Sequence, residues 1–423
     1  MYLTLKKGDV VRVSGPAKVT VASGEVLLLG ATYVEGASLT IHRFRSYAML
    51  ALRDSTLDIR VGEGGEAAKV GPSDEVVVEW LRIAESLWSY YSEEGSLKVV
   101  IVGPVESGKT SSAAFISNYF TSRGETVYLL EADVGQEDLA LPGTVALKKV
   151  TETFLWQREL GHDVLRFVGC IAPHVCKDEI LCAVSDLSRL VPEGAPLVVN
   201  TDGWISGVKA LMFKAGMIRW LRPTHILVTD VDAYTFMRSA SLGAEVLYLP
   251  PPKVIRERDR AARRYLRRDL YRKYFLDSRV IEVSLSKVPF MKSRIFGGAE
   301  IPRGLVEEVI PQLKGAGKIL RASKLGDSVY VLTENRVKEQ HFTEGVKAYF
   351  FTPQDLRGCL VGLVGRKYED VGVGIIESVK LRNGEVVLKI KTPVKDEVRG
   401  LIAGYIRLGS EYQEVGGEKG CFI

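Results

Sequence analysis

The stretch "GPVESGKT", Gly103 to Thr110, fits the pattern G-x-x-x-x-G-K-[ST]. Its chemistry is anion binding. Gly103 and Gly108 let the main chain close around phosphate oxygens, and Pro104, Val105, Glu106 and Ser107 span the distance between them. Lys109 is placed to reach β- and γ-phosphates and Thr110 to offer a hydroxyl to Mg²⁺, with Ser111 beginning the helix behind them. The apolar run "KVVIV" precedes the pattern and the helix-period segment "TSSAAFISNYF" follows it. A strand entering and a helix leaving is the context that gives the motif meaning, so a site for ATP with Mg²⁺ is expected here.

Phosphoryl transfer also needs a carboxylate. Three apolar runs end in aspartate: "YLLEAD" at Asp133, "VVNTD" at Asp202 and "ILVTD" at Asp230. Asp133 closes the run after the phosphate-loop helix, with Gly135 and Gln136 just beyond. A carboxylate there can take a proton from an attacking hydroxyl. Capping a strand end is the plainer role for the same residue, and the residues alone leave both open.

The basic residues are concentrated. Net charge is +5, but residues 253–273 carry ten bases and three acids, so the other 402 residues sum to −2. Arginines 256, 260, 264, 268 and 272 recur at i+4, with Arg263 and Arg267 beside the row. Ala262, Leu266, Leu270 and Tyr274 form a second row that would dock a helix. Neighbouring like charges repel, and three local acids cannot pair ten bases. A cationic lid over transferring phosphates accounts for the excess, with attraction to a nucleic-acid backbone as the alternative.

The elements that must position these groups follow from periodicity. Residues 1–75 alternate in short runs with glycine turns, "VVRVSG", "AKVTVASG", "SLTIHRF", and predict a small N-terminal β-sandwich or barrel, the sandwich being the expected form. Residues 76–278 read as strand and helix in alternation, an α/β domain with a doubly wound, mainly parallel sheet. Its ligands are expected beyond the carboxyl ends of the strands. Residues 279–423 return to alternation and predict a C-terminal β-rich domain. Ser73 and Asp74 are candidate caps for a connecting helix that ends at Gly95, and Gly124 closes the helix after the phosphate loop. The five cysteines fit neither a disulfide framework nor a common zinc spacing, despite His174 beside three of them, and read as buried thiols. No apolar run approaches the ~20 residues of a membrane helix. No signal-peptide pattern opens the chain, so a cytoplasmic protein is expected.

Together these stretches resemble one family: the polynucleotide 5′-hydroxyl kinases related to the kinase subunit of the mRNA 3′-end cleavage factor and to the pre-ribosomal-RNA processing kinases, with archaeal members. "GPVESGKT" is similar to the family's phosphate loop, "EADVGQ" to its acidic strand end and "NTDGW" to its substrate clasp. "ERDRAARRYLRRDLYRKYF" resembles its arginine lid, and "LVGLVG…VGVGIIESV…IKTPV" its terminal β-domain. The resemblance implies transfer of the γ-phosphate of ATP to the 5′-hydroxyl of RNA, with DNA as a further acceptor. It makes Asp133 the general base and a neighbour of the metal, and gives Gln136, Thr201 and Trp204 to the substrate. Arg258 and Arg263 become the arginines at the transferring phosphoryl group, with Arg264 and Arg267 next to them on the substrate. An ATP-bound scaffold of an RNA-processing complex is the alternative the same resemblance carries. Asp202 departs from the clasp pattern and is expected either to touch Mg²⁺ or to face solvent.

Overall fold

The computed structural model describes residues 1–254, 259–302, 304–306, 317–337, 342–343 and 346–415. The chain forms two compact units, one of residues 1–140, 145–164 and 173–262, the other of residues 141–144, 165–172 and 263–423.

The first unit opens with two antiparallel sheets. One orders Tyr2–Leu5, Ser55–Val61, Ala17–Ser23 and Ser38–Ile41; the other orders Ala31–Val34, Glu25–Leu28, Ser46–Ala51, Val10–Ser14 and Glu66–Val70. Alternation places Val19, Val21, Leu28, Ile41, Met49, Leu57 and Ile59 in one buried core, as a sandwich requires.

Helix α1 (Val77–Glu94) leads from the sandwich into the α/β part and ends at Gly95, whose left-handed φ of 70° directs its N–H to Tyr91 O. Its start differs from the expected one. Residues Pro72–Asp74 form a separate 3-10 turn, and Val76 precedes the helix without a side-chain cap. Glu75 is drawn inward to Arg12, so the chain turns there and the cap candidates are used up in the turn.

The α/β part contains β1 (Lys98–Val102), α2 (Lys109–Thr121), β2 (Val127–Ala132), β3 (Thr144–Val150), α3 (Lys177–Ser188), β4 (Leu197–Thr201), α4 (Val208–Leu221), β5 (His225–Val228), α5 (Val231–Ala240) and β6 (Glu245–Tyr248). Strands β2, β4, β1, β5 and β6 lie side by side in that order, all parallel, and β3 adds antiparallel to β2. Apolar runs buried on both faces are what such a sheet demands. Helix α2 stops at Thr121, three residues before the glycine expected to end it, because the chain tightens into i→i+3 bonds from Arg123 and Gly124. Buried Asn118 on α2 ties the sandwich to this layer: its amide donates to Leu29 O and Phe154 O, and its carbonyl accepts from Phe154 N.

The second unit is built largely of β-structure, as expected. A six-stranded sheet orders Arg279–Ser284, Glu385–Thr392, Asp370–Arg382, Cys359–Val364, Gly400–Arg407 and Phe290–Met291, over a core that includes Val361, Leu363, Ile376, Leu388 and Leu401. A second sheet runs through Ile319–Leu325, Ser328–Thr333 and Val346–Phe351. The cysteine reading needs correction: Cys170, Cys176 and Cys359 are disulfide-bonded, and Cys182 is a free, exposed thiol. Pairing depends on proximity in the fold, which spacing along the chain does not report. Among the described residues no helix is long and apolar enough to cross a membrane.

Candidate active site

The phosphate loop leaves β1 and enters α2 at Gly108, which precedes the helix with φ 87°. A Cβ at that position would lie 2.6 Å from Pro252 Cδ, so glycine is needed for room as well as for conformation. The neighbouring strand braces the loop: Thr229, just past β5, donates to Ser107 Oγ at 2.7 Å, and Ser107 donates to Pro104 O at 2.9 Å. Lys109 is buried, and its Nζ donates to Pro104 O at 2.6 Å. Burial lowers its pKa to about 8; Lys214 adds to this, while Asp133, Asp202 and Glu131 oppose it.

The three strand-end aspartates take different roles. Asp230 caps α5, accepting from Ala233 N at 2.8 Å. Asp202 is buried and forms an ion pair with buried Lys214, Nζ to Oδ2 2.6 Å, while its Oδ1 accepts the Trp204 N–H at 2.9 Å. It therefore neither faces solvent nor offers a carboxylate free of other bonds to a metal. Asp133 lines the cavity described below. Its Oδ1 accepts from Gly135 N and Gln136 N at 3.1 and 3.0 Å, so the capping role is real. Its carboxyl nevertheless titrates above the ordinary range, first through burial and then through the charge of Asp202, against the pull of Lys109 and the two N–H groups. Beneath it lies buried Glu131, pushed well upward by burial and by Asp133. Asn200 Nδ2 contacts both Glu131 oxygens at 2.8 and 2.9 Å and Thr110 Oγ1 at 3.1 Å, which joins the floor of the site to the first helical turn of α2.

One cavity collects Lys109, Thr110, Asp133 and Gln136. Its polar lining also includes Glu106, Gly108 and Ser111. Its apolar and aromatic lining is Leu29, Phe44, Tyr47, Trp80, Phe115, Pro252 and Val254. Two ion pairs, Arg12–Glu75 and Arg45–Asp138, border it, the second at 2.6 Å. Phosphate-binding groups and apolar, aromatic side chains lining one cavity are the chemistry of a nucleotide site.

Of the expected substrate residues, Thr201 ends β4 and Trp204 lies just past it. Thr201 is buried and spends its hydroxyl on Ile101 O at 2.8 Å, so its side chain serves the sheet. Trp204 is half-buried, with its ring 5.8 Å from Phe213 and 6.0 Å from His174. The turn carrying it presses on the phosphate loop: a Cβ on Gly203 would lie 2.7 Å from Val105 N and 2.9 Å from Val105 Cα.

The basic segment forms α6 (Arg260–Tyr274), docked by Leu266, Leu270 and Tyr271. Arg258 lies outside the described residues. Counting local acids proves misleading, because Glu414 takes Arg267 in a two-bond pair at 2.6 and 2.8 Å and Glu411 takes Arg268 at 2.8 Å. Arg267 is thus committed to a carboxylate instead of standing open to substrate. Arg264 is exposed and Arg263 half-buried, both in the second unit. Sequence reasoning missed Lys214, although a lysine in the row Ala210, Lys214, Met217, Leu221 stands on the buried stripe of α4 and was a legible signal. Arg12, Glu75, Arg45 and Asp138 carried no such signal.

Residues 103–277 match the family model of the mRNA cleavage and polyadenylation factor CLP1 P-loop. A polyribonucleotide 5′-hydroxyl-kinase of Pyrococcus furiosus is 27% identical over 325 residues, covering 75% of this chain and 90% of the relative. One from Thermococcus kodakarensis is 28% identical over 351 residues, 81% of this chain and 96% of the relative. In fold, the chain is similar to one in the structure of the wild-type Clp1p–Pcf11p complex, with TM-score 0.66 and 16% identity over 96% of this chain and 97% of that one. The loop, the acidic strand end and the clasp turn thus sit in a chain whose residues 103–277 match the CLP1 P-loop model and which is similar to archaeal polyribonucleotide 5′-hydroxyl-kinases over most of its length.

Proposed function

We propose that the chain is an ATP-dependent polynucleotide 5′-hydroxyl kinase that moves the γ-phosphate of ATP to the 5′-oxygen of RNA, with DNA ends as a further acceptor. The observation that carries this reading is the convergence of Lys109, Thr110, Asp133 and Gln136 on one cavity that is also lined by aromatic side chains suited to a nucleobase. In that arrangement the base lies toward Phe44, Tyr47 and Trp80, and the triphosphate wraps into the loop of residues 103–108. Lys109 leaves Pro104 O for the β- and γ-phosphates.

Asp133 takes the proton from the incoming 5′-hydroxyl as the O–P bond forms and the bond to the ADP oxygen breaks. A carboxyl titrating above its ordinary range is a better base near neutral pH, where general bases work best. Thr110 Oγ1 and the Asp133 carboxylate, hard oxygen donors on one cavity wall, fit Mg²⁺. When bound, that ion neutralises charge on the β- and γ-oxygens. Trp204 stacks on an acceptor base and Gln136 contacts the acceptor near its first phosphate. The arginines of the family's lid correspond in this sequence to Arg258, Arg263 and Arg264.

Incubating the protein with γ-labelled ATP and 5′-hydroxyl RNA tests this. Label on the RNA is the expected result. Free phosphate alone defeats the reading in favour of an NTPase, and no product favours the ATP-bound scaffold.

A further inference from the structure

Lys214 and Asp202 are each at most 1% exposed. A buried ion pair of this kind is seldom a gain in stability over apolar residues of the same size, so its presence at the end of a central strand asks for another reason. Its connections supply one. Lys214 Nζ grips residue 202 twice, at the carboxylate oxygen Oδ2 (2.6 Å) and at the main-chain carbonyl (3.0 Å). Asp202 Oδ1 in turn holds the Trp204 N–H at 2.9 Å. On the same helix, the adjacent residue Phe213 packs on the Trp204 ring at 33° between planes. Successive residues of α4 therefore fix both the backbone and the ring of the turn.

We propose that Lys214 is a positioning residue for the polynucleotide acceptor: through Asp202 it holds the turn that presents Trp204, so acceptor affinity depends on it and nucleotide affinity does not. This rests on the reading above that Trp204 lies in the acceptor site. It places part of the acceptor affinity in a side chain that never touches substrate.

The test is fluorescence anisotropy with a 5′-hydroxyl oligoribonucleotide labelled at its 3′ end, beside ATP binding by calorimetry. The variant is Lys214→Met with Asp202→Asn, which removes the clamp without leaving a lone buried charge and keeps an acceptor oxygen for the Trp204 N–H. Oligonucleotide Kd should rise about tenfold, within what one stacked base contributes, with ATP Kd unchanged. In a Trp204→Ala background the same pair of changes should cost nothing further, a non-additivity that a merely structural role does not produce. Unchanged oligonucleotide Kd, equal loss of ATP affinity, or an additive loss beside Trp204→Ala overturns the inference. Should the pair variant not fold, Lys214→Gln keeps an N–H donor and is expected between wild type and Trp204→Ala; equality with wild type overturns it. Wild-type protein that neither binds nor phosphorylates the oligonucleotide defeats the underlying reading as well, whereas normal wild-type transfer with an unaffected variant defeats this inference alone.

Discussion

The loop after β1 and the turn after β4 leave adjacent parallel strands and meet at Val105 and Gly203, yet they are made of different material. The loop is backbone geometry: Gly108 at positive φ and a helix N-terminus with the single cation Lys109 beside it. The turn is side-chain chemistry, with a buried aspartate, a buried lysine and an indole against a phenyl ring. Phosphate is the same in every nucleotide, so a fixed cradle of amides serves it. Under the proposed function the turn meets a polynucleotide end that varies in base, and a stacked ring tolerates that variation.

Four measurements sharpen or break this contrast. Lys109→Ala should abolish turnover with every acceptor, because the loop has no other cation within it; measurable phosphate transfer by that variant would contradict its role. Asp133→Asn should lower kcat about 10²- to 10⁴-fold, the usual scale of general-base catalysis, with ATP still bound in calorimetry. Normal turnover would return Asp133 to a strand-end cap. Trp204→Ala should weaken oligonucleotide binding about tenfold and leave ATP affinity alone, and equal loss of both would erase the division between loop and turn.

The smallest effect concerns pH. Lys109 in the free protein has its pKa lowered from 10.5 to about 8, so it loses charge as pH climbs past 8. Phosphates favour its charged form, so ATP binding should take up a proton just above pH 8 and ATP affinity should fall a few-fold over the next unit. Calorimetry in two buffers of different ionisation enthalpy reads that uptake directly; identical heats would show Lys109 already charged.

What the sequence disclosed follows the same contrast. The phosphate loop was legible because its spacing is its geometry, and the parallel sheet because both-face burial leaves continuous apolar runs at 99–102, 197–199 and 226–228. The side-chain pairs were not. Lys214 and Asp202 are 12 positions apart, Arg12 and Glu75 63, and Arg267 and Glu414 147, distances that only the fold closes. The charge argument on α6 weighed arginines against acids nearby in sequence only, while Arg267 and Arg268 find Glu414 and Glu411 near the far end of the chain. The i+4 row on the same helix found Leu266 and Leu270 but passed over fully buried Tyr271, whose hydroxyl donates to Pro142 O.

The contact between Val105 and Gly203 has an evolutionary reading. With atoms of Val105 too close to Gly203 to admit even a methyl group, the phosphate loop and the turn after β4 share one wall, and no side chain can be added there. Under the proposed function, new acceptor preferences in such a scaffold would arise from residues further out along the turn, around Trp204 and α4, while the shared wall stays as it is.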